Sequence, residues 1–236
     1  MTNILLTGGS RGIGAAAREM LAARGANVIV HASAPRDGVD IAADLADESA
    51  VETLWNDALE QAGGRIDVLV NNAGLFEANA ISAEPDAWLR AWRHTMDVNL
   101  TASAQLSYLA VRHWLSDGAS GRLVHVASRA GHRGDSPDHW HYAASKGGML
   151  AMHKSIARGY ADRGILSFAI APGFTDTSMA GDYLASRGGD GLLADIPLGA
   201  VARPEEIGGM VVYCALDAPP SMTGATLDAN GASYVR

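Results

Sequence analysis

The chain opens with the apolar run Asn3-Ile4-Leu5-Leu6, passes at once into Thr7-Gly8-Gly9-Ser10-Arg11-Gly12-Ile13-Gly14, and continues as the helix former AAAREMLAARG. Nothing else in the sequence restricts the fold as much. A short buried strand, a glycine-rich turn and a helix in immediate succession form the opening of a βαβ unit. The chemistry of such a turn is specific. Glycines let the backbone come close to a pyrophosphate, and the helix N-terminus offers it unpaired N–H groups and partial positive charge. The glycine spacing is G-x-x-x-G-x-G, from Gly8, Gly12 and Gly14, and departs from the commoner G-x-G-x-x-G.

The same alternation continues down the chain. Apolar runs at Asn3–Thr7, Asn27–His31, Val68–Asn71, Arg122–Ala127, Leu166–Ala171 and Ala225–Ala229 read as strands. Helical periodicity falls between them, at about 12–24, 47–62, 97–116, 140–163 and 204–216. NILL, NVIV and LSFAIA are apolar without interruption, as expected of strands covered on both faces. The expected fold is α/β: one Rossmann-like, doubly wound domain over 1–236, with a central parallel sheet and helices on both faces. Residues 178–202, rich in Gly, Ala and Asp, are expected to form a lid over the site.

Composition narrows the function classes. The chain has 236 residues, of which 48% are hydrophobic, enough for a substantial core. A formal net charge of -8 argues against bulk nucleic-acid binding, and neither a signal peptide nor a membrane span is legible. The cytoplasm is therefore the expected location. Cys214 is the only cysteine, which excludes an internal disulfide.

Taken with its context, the T-G-x-x-x-G-x-G turn resembles that of the short-chain dehydrogenase/reductase family, and the resemblance extends along most of the chain. Asn71-Asn72-Ala73-Gly74 matches the family's N-N-A-G, and Asp44-Leu45 is similar to its adenine-contacting segment. Pro172-Gly173-Phe174-Thr175-Asp176-Thr177 resembles its P-G-x-x-x-T, while Phe168 stands where the family usually has Asn. The resemblance implies a nicotinamide cofactor held by Gly8, Ser10, Arg11, Gly12, Ile13, Gly14, Ser33, Asp44 and Leu45. Further along the chain it implies Asn72, Ala73, Gly74, Tyr142, Lys146, Pro172, Gly173, Thr175 and Thr177. An acid at the end of the second strand would hold the ribose of NAD, but Ala32 occupies that place and no carboxylate precedes Asp37. With Arg11, Ser33 and Arg36 nearby, NADP(H) is favoured over NAD(H).

Tyr142 and Lys146 are four residues apart, one turn along a helix face; Ser128 ends an apolar strand fourteen residues upstream, and Asn99 precedes it. By resemblance, Asn99, Ser128, Tyr142 and Lys146 form a catalytic tetrad for hydride transfer between nicotinamide and a carbonyl or secondary alcohol. The oxygen that develops charge needs a proton, and a tyrosine can supply it. Acting as a base near neutrality, a tyrosine of pKa about 10 must be brought to roughly 7–8, which takes about 3–4 kcal/mol. The Lys146 ammonium is expected to supply part of this, with Ser128 holding the substrate oxygen and Asn99 positioning a water.

The expected substrate elements are the Arg129–Asp138 loop, the Phe76–Ser82 segment and the lid, with Arg129 and His139 as contacts. The pattern is closest to 3-oxoacyl-carrier-protein reductases, which makes an acyl carrier protein a candidate partner, with Arg122 and Arg163 as its landing. A sugar or small-alcohol dehydrogenase is the alternative, and a non-catalytic NADP(H) sensor the third reading. Family packing would pair the helices at about 97–116 and 140–163 between subunits of a homodimer or homotetramer. In SPDHWHYAASK, Ser136 reads as an N-cap with Pro137 at the first helical position. His139, Tyr142 and Lys146 then share one stripe and His141 turns away, so no metal site is expected.

Overall fold

The computed structural model describes residues 1–177 and 193–236. Seven strands form one sheet: β1 Asn3–Leu6, β2 Asn27–Ala32, β3 Ile41–Ala42, β4 Val68–Asn71, β5 Gly121–Val126, β6 Ile165–Pro172 and β7 Thr226–Ala229. Their order is β3-β2-β1-β4-β5-β6-β7, and every neighbouring pair is parallel. The helices are α1 Gly12–Ala23, α2 Glu48–Gln61, α3 Pro85–Met96, α4 Ala102–Ser116, α5 Ala130–Arg133, α6 Trp140–Tyr160 and α7 Pro204–Val212.

Strand side chains alternate between two cores, as a period of two requires. Leu5, Leu69 and Leu123 face a cluster with Leu54 and Trp55 of α2 and Leu106 and Trp114 of α4. Ile4, Leu6, Val68, Val70, Val124 and Phe168 face the other way, onto Ala17 and Leu21 of α1 and Ile207 and Val211 of α7. Phe168 is fully buried in that second core, with the Arg122 guanidinium 5.9 Å from its ring centroid. Both faces are covered, which explains the unbroken apolar strands.

α3, the turn after it and β3 differ from the expectation, whereas α2 meets it to within a residue at each end. α3 is absent from the sequence reading, although Pro85 stands in its first turn. It runs into a π-helical turn, Asp97–Thr101, that carries Asn99 and leads into α4. β3 is only two residues long, too short to leave a periodic signal, and it pairs His31 with Ile41 and Ala32 with Ala42. α2 starts one turn after β3, capped by Asp47, whose side chain accepts from Ser49 N (2.9 Å) and Ala50 N (3.4 Å). The lid expected at 178–202 lies outside the described residues over 178–192.

Candidate active site

The strand order reverses between β1 and β4, so the loops leaving these two strands part and open a crevice at their carboxyl ends. A cleft of about 470 Å³ occupies this place. Gly8 and Gly12 adopt φ of 66° and 53°, a region other residues enter at a cost. Gly14 packs so tightly beneath the turn that a Cβ there would collide with Gly8 O. Asn72 ties the turn to the loop after β4: its Nδ2 donates to Thr7 O (2.9 Å) and Gly8 O (3.0 Å). Thr7 Oγ1 in turn accepts from Asn72 N (3.0 Å) and Ala73 N (3.1 Å).

α1 begins at Gly12 with no side-chain cap, which leaves its first-turn N–H groups for a ligand. A cradle that only glycine fits, followed by an uncapped helix start, suits a dinucleotide pyrophosphate. Gly8, Ser10, Arg11, Gly12, Ile13 and Gly14 line this part of the cleft. Ser33, Asp44 and Leu45 line the adjoining wall with Arg36, beside the ends of β2 and β3. Asn72, Ala73 and Gly74 line the floor, and Pro172, Gly173, Thr175 and Thr177 come in from the end of β6.

At the other end of the cleft, Ser128, Tyr142 and Lys146 converge with Arg129. Ser128 leaves β5 and its Oγ accepts from Ala130 N (3.1 Å). Gly131 lets this loop lie directly on α6, because a Cβ there would stand 2.7 Å from the Lys146 carbonyl carbon. That approach brings the Ser128 loop onto the helix that carries Tyr142. Lys146 Nζ is buried and donates to Val126 O (2.8 Å), 5.9 Å from the centre of the Tyr142 ring. Burial pushes the Tyr142 phenol up to about 12, against a hydrogen bond with Ser128 that pulls it down; Asp135 adds to the rise. Burial lowers Lys146 to about 8. Without a cofactor the balance holds Tyr142 protonated, and Lys146 is not among the groups that lower it.

Asn99 is fully buried and is not on the cleft wall. Its Oδ1 accepts from Leu75 N (2.7 Å), and its Nδ2 donates to Leu75 O (3.0 Å) and Ser145 Oγ (3.2 Å). The side chain clamps the segment after Gly74, with both ends of its amide engaged there. His139 departs similarly. It is 2% exposed and stacks on Phe76 at 4.1 Å, and Phe76 in turn meets Tyr142 edge-on at 4.7 Å. Phe76 lines the cleft, and His139 does not. The shared stripe fails because Pro137–His139 is a 3₁₀ turn, and Ser136 Oγ bonds His139 Nδ1 (2.7 Å) without capping the helix.

Arg122 and Arg163 are also displaced from their expected role. They stand at or just before the starts of β5 and β6, the end of the sheet opposite the cleft. Arg122 donates to Cys214 O (3.1 Å) and Ala218 O (2.9 Å), so it staples the turn after α7. Sequence reasoning did not single out His31, His94 or Phe174 on the wall, nor the apolar Leu75, Val98, Val126 and Ala127; Asp135 falls in the expected Arg129–Asp138 loop. His31 could have been found from its place at the strand end; His94 follows from α3, which left no recognised signal.

A profile of the short chain dehydrogenase family matches residues 2–187. The chain belongs to the short-chain dehydrogenase/reductase family. It is an oxidoreductase, and the family implies a nicotinamide cofactor. It is 33% identical to 3-oxoacyl-(acyl-carrier-protein) reductase FabG of Escherichia coli (strain K12) over 98% of this chain and 96% of that protein. It is 35% identical to cis-4-hydroxycyclohexanecarboxylate dehydrogenase of Sinomonas cyclohexanicum, over 96% of this chain and 94% of that one. Among solved structures, a short-chain type dehydrogenase/reductase from Mycobacterium marinum superposes with a TM-score of 0.87 at 27% identity, covering 98% and 95% of the two chains. No described helix is long and apolar enough to cross a membrane.

Proposed function

We propose that this enzyme transfers hydride between NADP(H) and a compact carbonyl or secondary-alcohol substrate, with Tyr142 as the proton donor and acceptor. The observation that carries the reading is the convergence of Ser128, Tyr142 and Lys146 at one end of a cleft whose other end is a glycine cradle. When bound, the nicotinamide supplies or takes up the hydride. In reduction, Ser128 Oγ orients the substrate oxygen, and the Tyr142 hydroxyl delivers a proton as negative charge develops on it. Lys146, with one hydrogen bond spent on Val126 O, would use its remaining donors on the cofactor ribose and the phenol. Asn99 acts earlier, by holding the Leu75 backbone and so the cleft wall.

NADP(H) is preferred over NAD(H) in this reading because Arg11, Ser33 and Arg36 stand at the adenosine end, where Ala32 leaves no carboxylate to repel a 2′-phosphate. At the substrate end, the Arg129 guanidinium lies over Phe174 at 4.8 Å, and Phe76 and Tyr142 line the same cleft. An aromatic floor with a guanidinium suits a small oxo or hydroxy compound with a polar or anionic group. The relative that acts on a hydroxycyclohexanecarboxylate fits that chemistry. A 3-oxoacyl thioester is the second reading, from the 3-oxoacyl reductase relatives; with Arg122 and Arg163 at the far end of the sheet, a carrier protein would need a different landing. Assembly through α4 and α6 as a homodimer or homotetramer belongs to the same proposal and is read by light scattering.

The test is NADPH and NADH oxidation across β-ketoesters, acyl thioesters, cyclic oxo acids, keto-sugars and diketones. Tyr142→Phe should lower kcat by about 10²–10⁴ with nucleotide binding retained. Full activity in that variant would sink the mechanism. A preference for NADH that Arg11→Ala leaves unchanged would sink the cofactor assignment.

A further inference from the structure

The end of β2 carries a histidine that nothing in the proposed chemistry uses. His31 is 1% exposed, yet it is among the residues of the cleft wall at the adenosine end. Its Nδ1 accepts from Gly8 N (3.4 Å), and its Nε2 lies 3.0 Å from Ala43 O. A carbonyl can only accept, so Nε2 carries the proton and Nδ1 is the lone-pair nitrogen. One neutral tautomer satisfies both contacts. The His31 backbone joins the same arrangement, its carbonyl accepting from Gly9 N (3.0 Å).

The two ends of this strut are functional positions. Gly8, held at φ 66°, is tied on its N–H side by the imidazole and on its carbonyl side by Asn72. Ala43 directly precedes Asp44 and Leu45, which line the adenosine wall. The glycine turn leaves β1 and the Ala43 segment leaves β3, and no backbone hydrogen bond joins these strands, because β2 lies between them. A neutral imidazole places a donor and an acceptor on opposite edges of a rigid ring. Asn and Gln carry both groups at one end of a flexible chain and can reach only one side.

We infer that His31 is a positioning residue that braces the glycine turn against the adenosine wall, so that the nucleotide meets a cradle already in its bound shape. The inference rests on the nucleotide reading above. Ordering that the strut supplies in the free protein would otherwise fall on the binding step. The effect is local to the adenosine half, since Ser128, Tyr142 and Lys146 stand on β5 and α6 at the other end of the cleft.

Equilibrium binding decides the matter, with whichever of NADPH and NADH the unaltered enzyme binds more tightly, and with adenosine 2′,5′-bisphosphate as a probe of the adenosine half alone. His31→Phe keeps a buried ring and removes both polar contacts. It should raise Kd for both ligands by about tenfold, the scale of one or two lost buried hydrogen bonds. At saturating nucleotide, kcat should stay within about twofold. His31→Asn keeps an acceptor for Gly8 N and should recover roughly half of the loss on a logarithmic scale. In the ligand-free protein, amide exchange over residues 7–10 should quicken in His31→Phe and less so in His31→Asn. If His31→Phe does not fold, the Asn variant carries the test alone, with an expected rise of about threefold. Binding within twofold of the unaltered enzyme in the folded variants overturns the strut, as does a loss seen in kcat and not in Kd. An unaltered enzyme that binds neither dinucleotide overturns the nucleotide reading and the inference together.

Discussion

Tyr142 and Lys146 show how one residue's environment sets the direction of its chemistry. Desolvation holds the phenol protonated, up to about 12, and lowers the ammonium to about 8. A protonated phenol is the form that carbonyl reduction needs, whereas alcohol oxidation needs the phenolate. Reduction should therefore be nearly independent of pH between roughly 6 and 8, and oxidation should climb with pH over the same range, as the small phenolate fraction grows. Rates measured in both directions at saturating cofactor check this. An oxidation rate that is flat across the range would show that proton removal from Tyr142 does not limit it.

The turn between α3 and α4 is the element on which the cleft wall depends. Its π-helical geometry sets Asn99 inward, where both ends of the amide hold the Leu75 backbone. Gly74 must pass close by, since a Cβ there would stand 3.2 Å from Asn99 Oδ1 and 3.5 Å from Lys146 Nζ. Asn99→Ala should leave two part-buried backbone groups of Leu75 without their partner and cost about 1 kcal/mol of stability. Chemical denaturation measures that figure. Asn99→Asp keeps the acceptor for Leu75 N and loses the donor to Leu75 O, so its loss should have a similar origin but come with a pH dependence that Ala lacks.

Across the whole molecule, the least expected feature is a polar seam under the carboxyl half of the sheet. His125 of β5 and His153 of α6 are both fully buried, with ring centroids 6.1 Å apart. Asn71 Nδ2 lies 3.3 Å from His125 Nδ1, and His153 Nε2 lies 3.2 Å from Thr226 Oγ1. Burial lowers His125 to about 3 and His153 to about 4, helped in His125 by His153 and Lys146 and in His153 by Lys154. Both imidazoles are thus neutral in the folded chain and take up protons on unfolding below about pH 6.5. Their contribution is fully present above that value. It falls by roughly 1.4 kcal/mol per pH unit for each histidine as pH drops towards 4, until the folded-state groups titrate. Thermal unfolding should therefore show Tm falling steeply below about pH 6, and His153→Gln should make the fall shallower. An equal slope in the variant would remove His153 from the account.

The sequence alone determined the parallel α/β architecture, because doubly covered strands and amphipathic helices leave a periodic signature that every residue in them repeats. The glycine turn, Asn72–Gly74, Ser128, Tyr142 and Lys146, picked out by their resemblance to the family's motifs, line one cleft in the structure. What only the tertiary structure decided are the contacts made between distant segments. The clamping of Leu75 by Asn99, the seating of His139 behind Phe76, the removal of Arg122 to the far end of the sheet and the bracing of Gly8 by His31 all depend on which loops the sheet order brings together. A local pattern reports what a residue's neighbours in the chain require; the contacts named here join residues at least 12 apart in the sequence, and only packing reveals them.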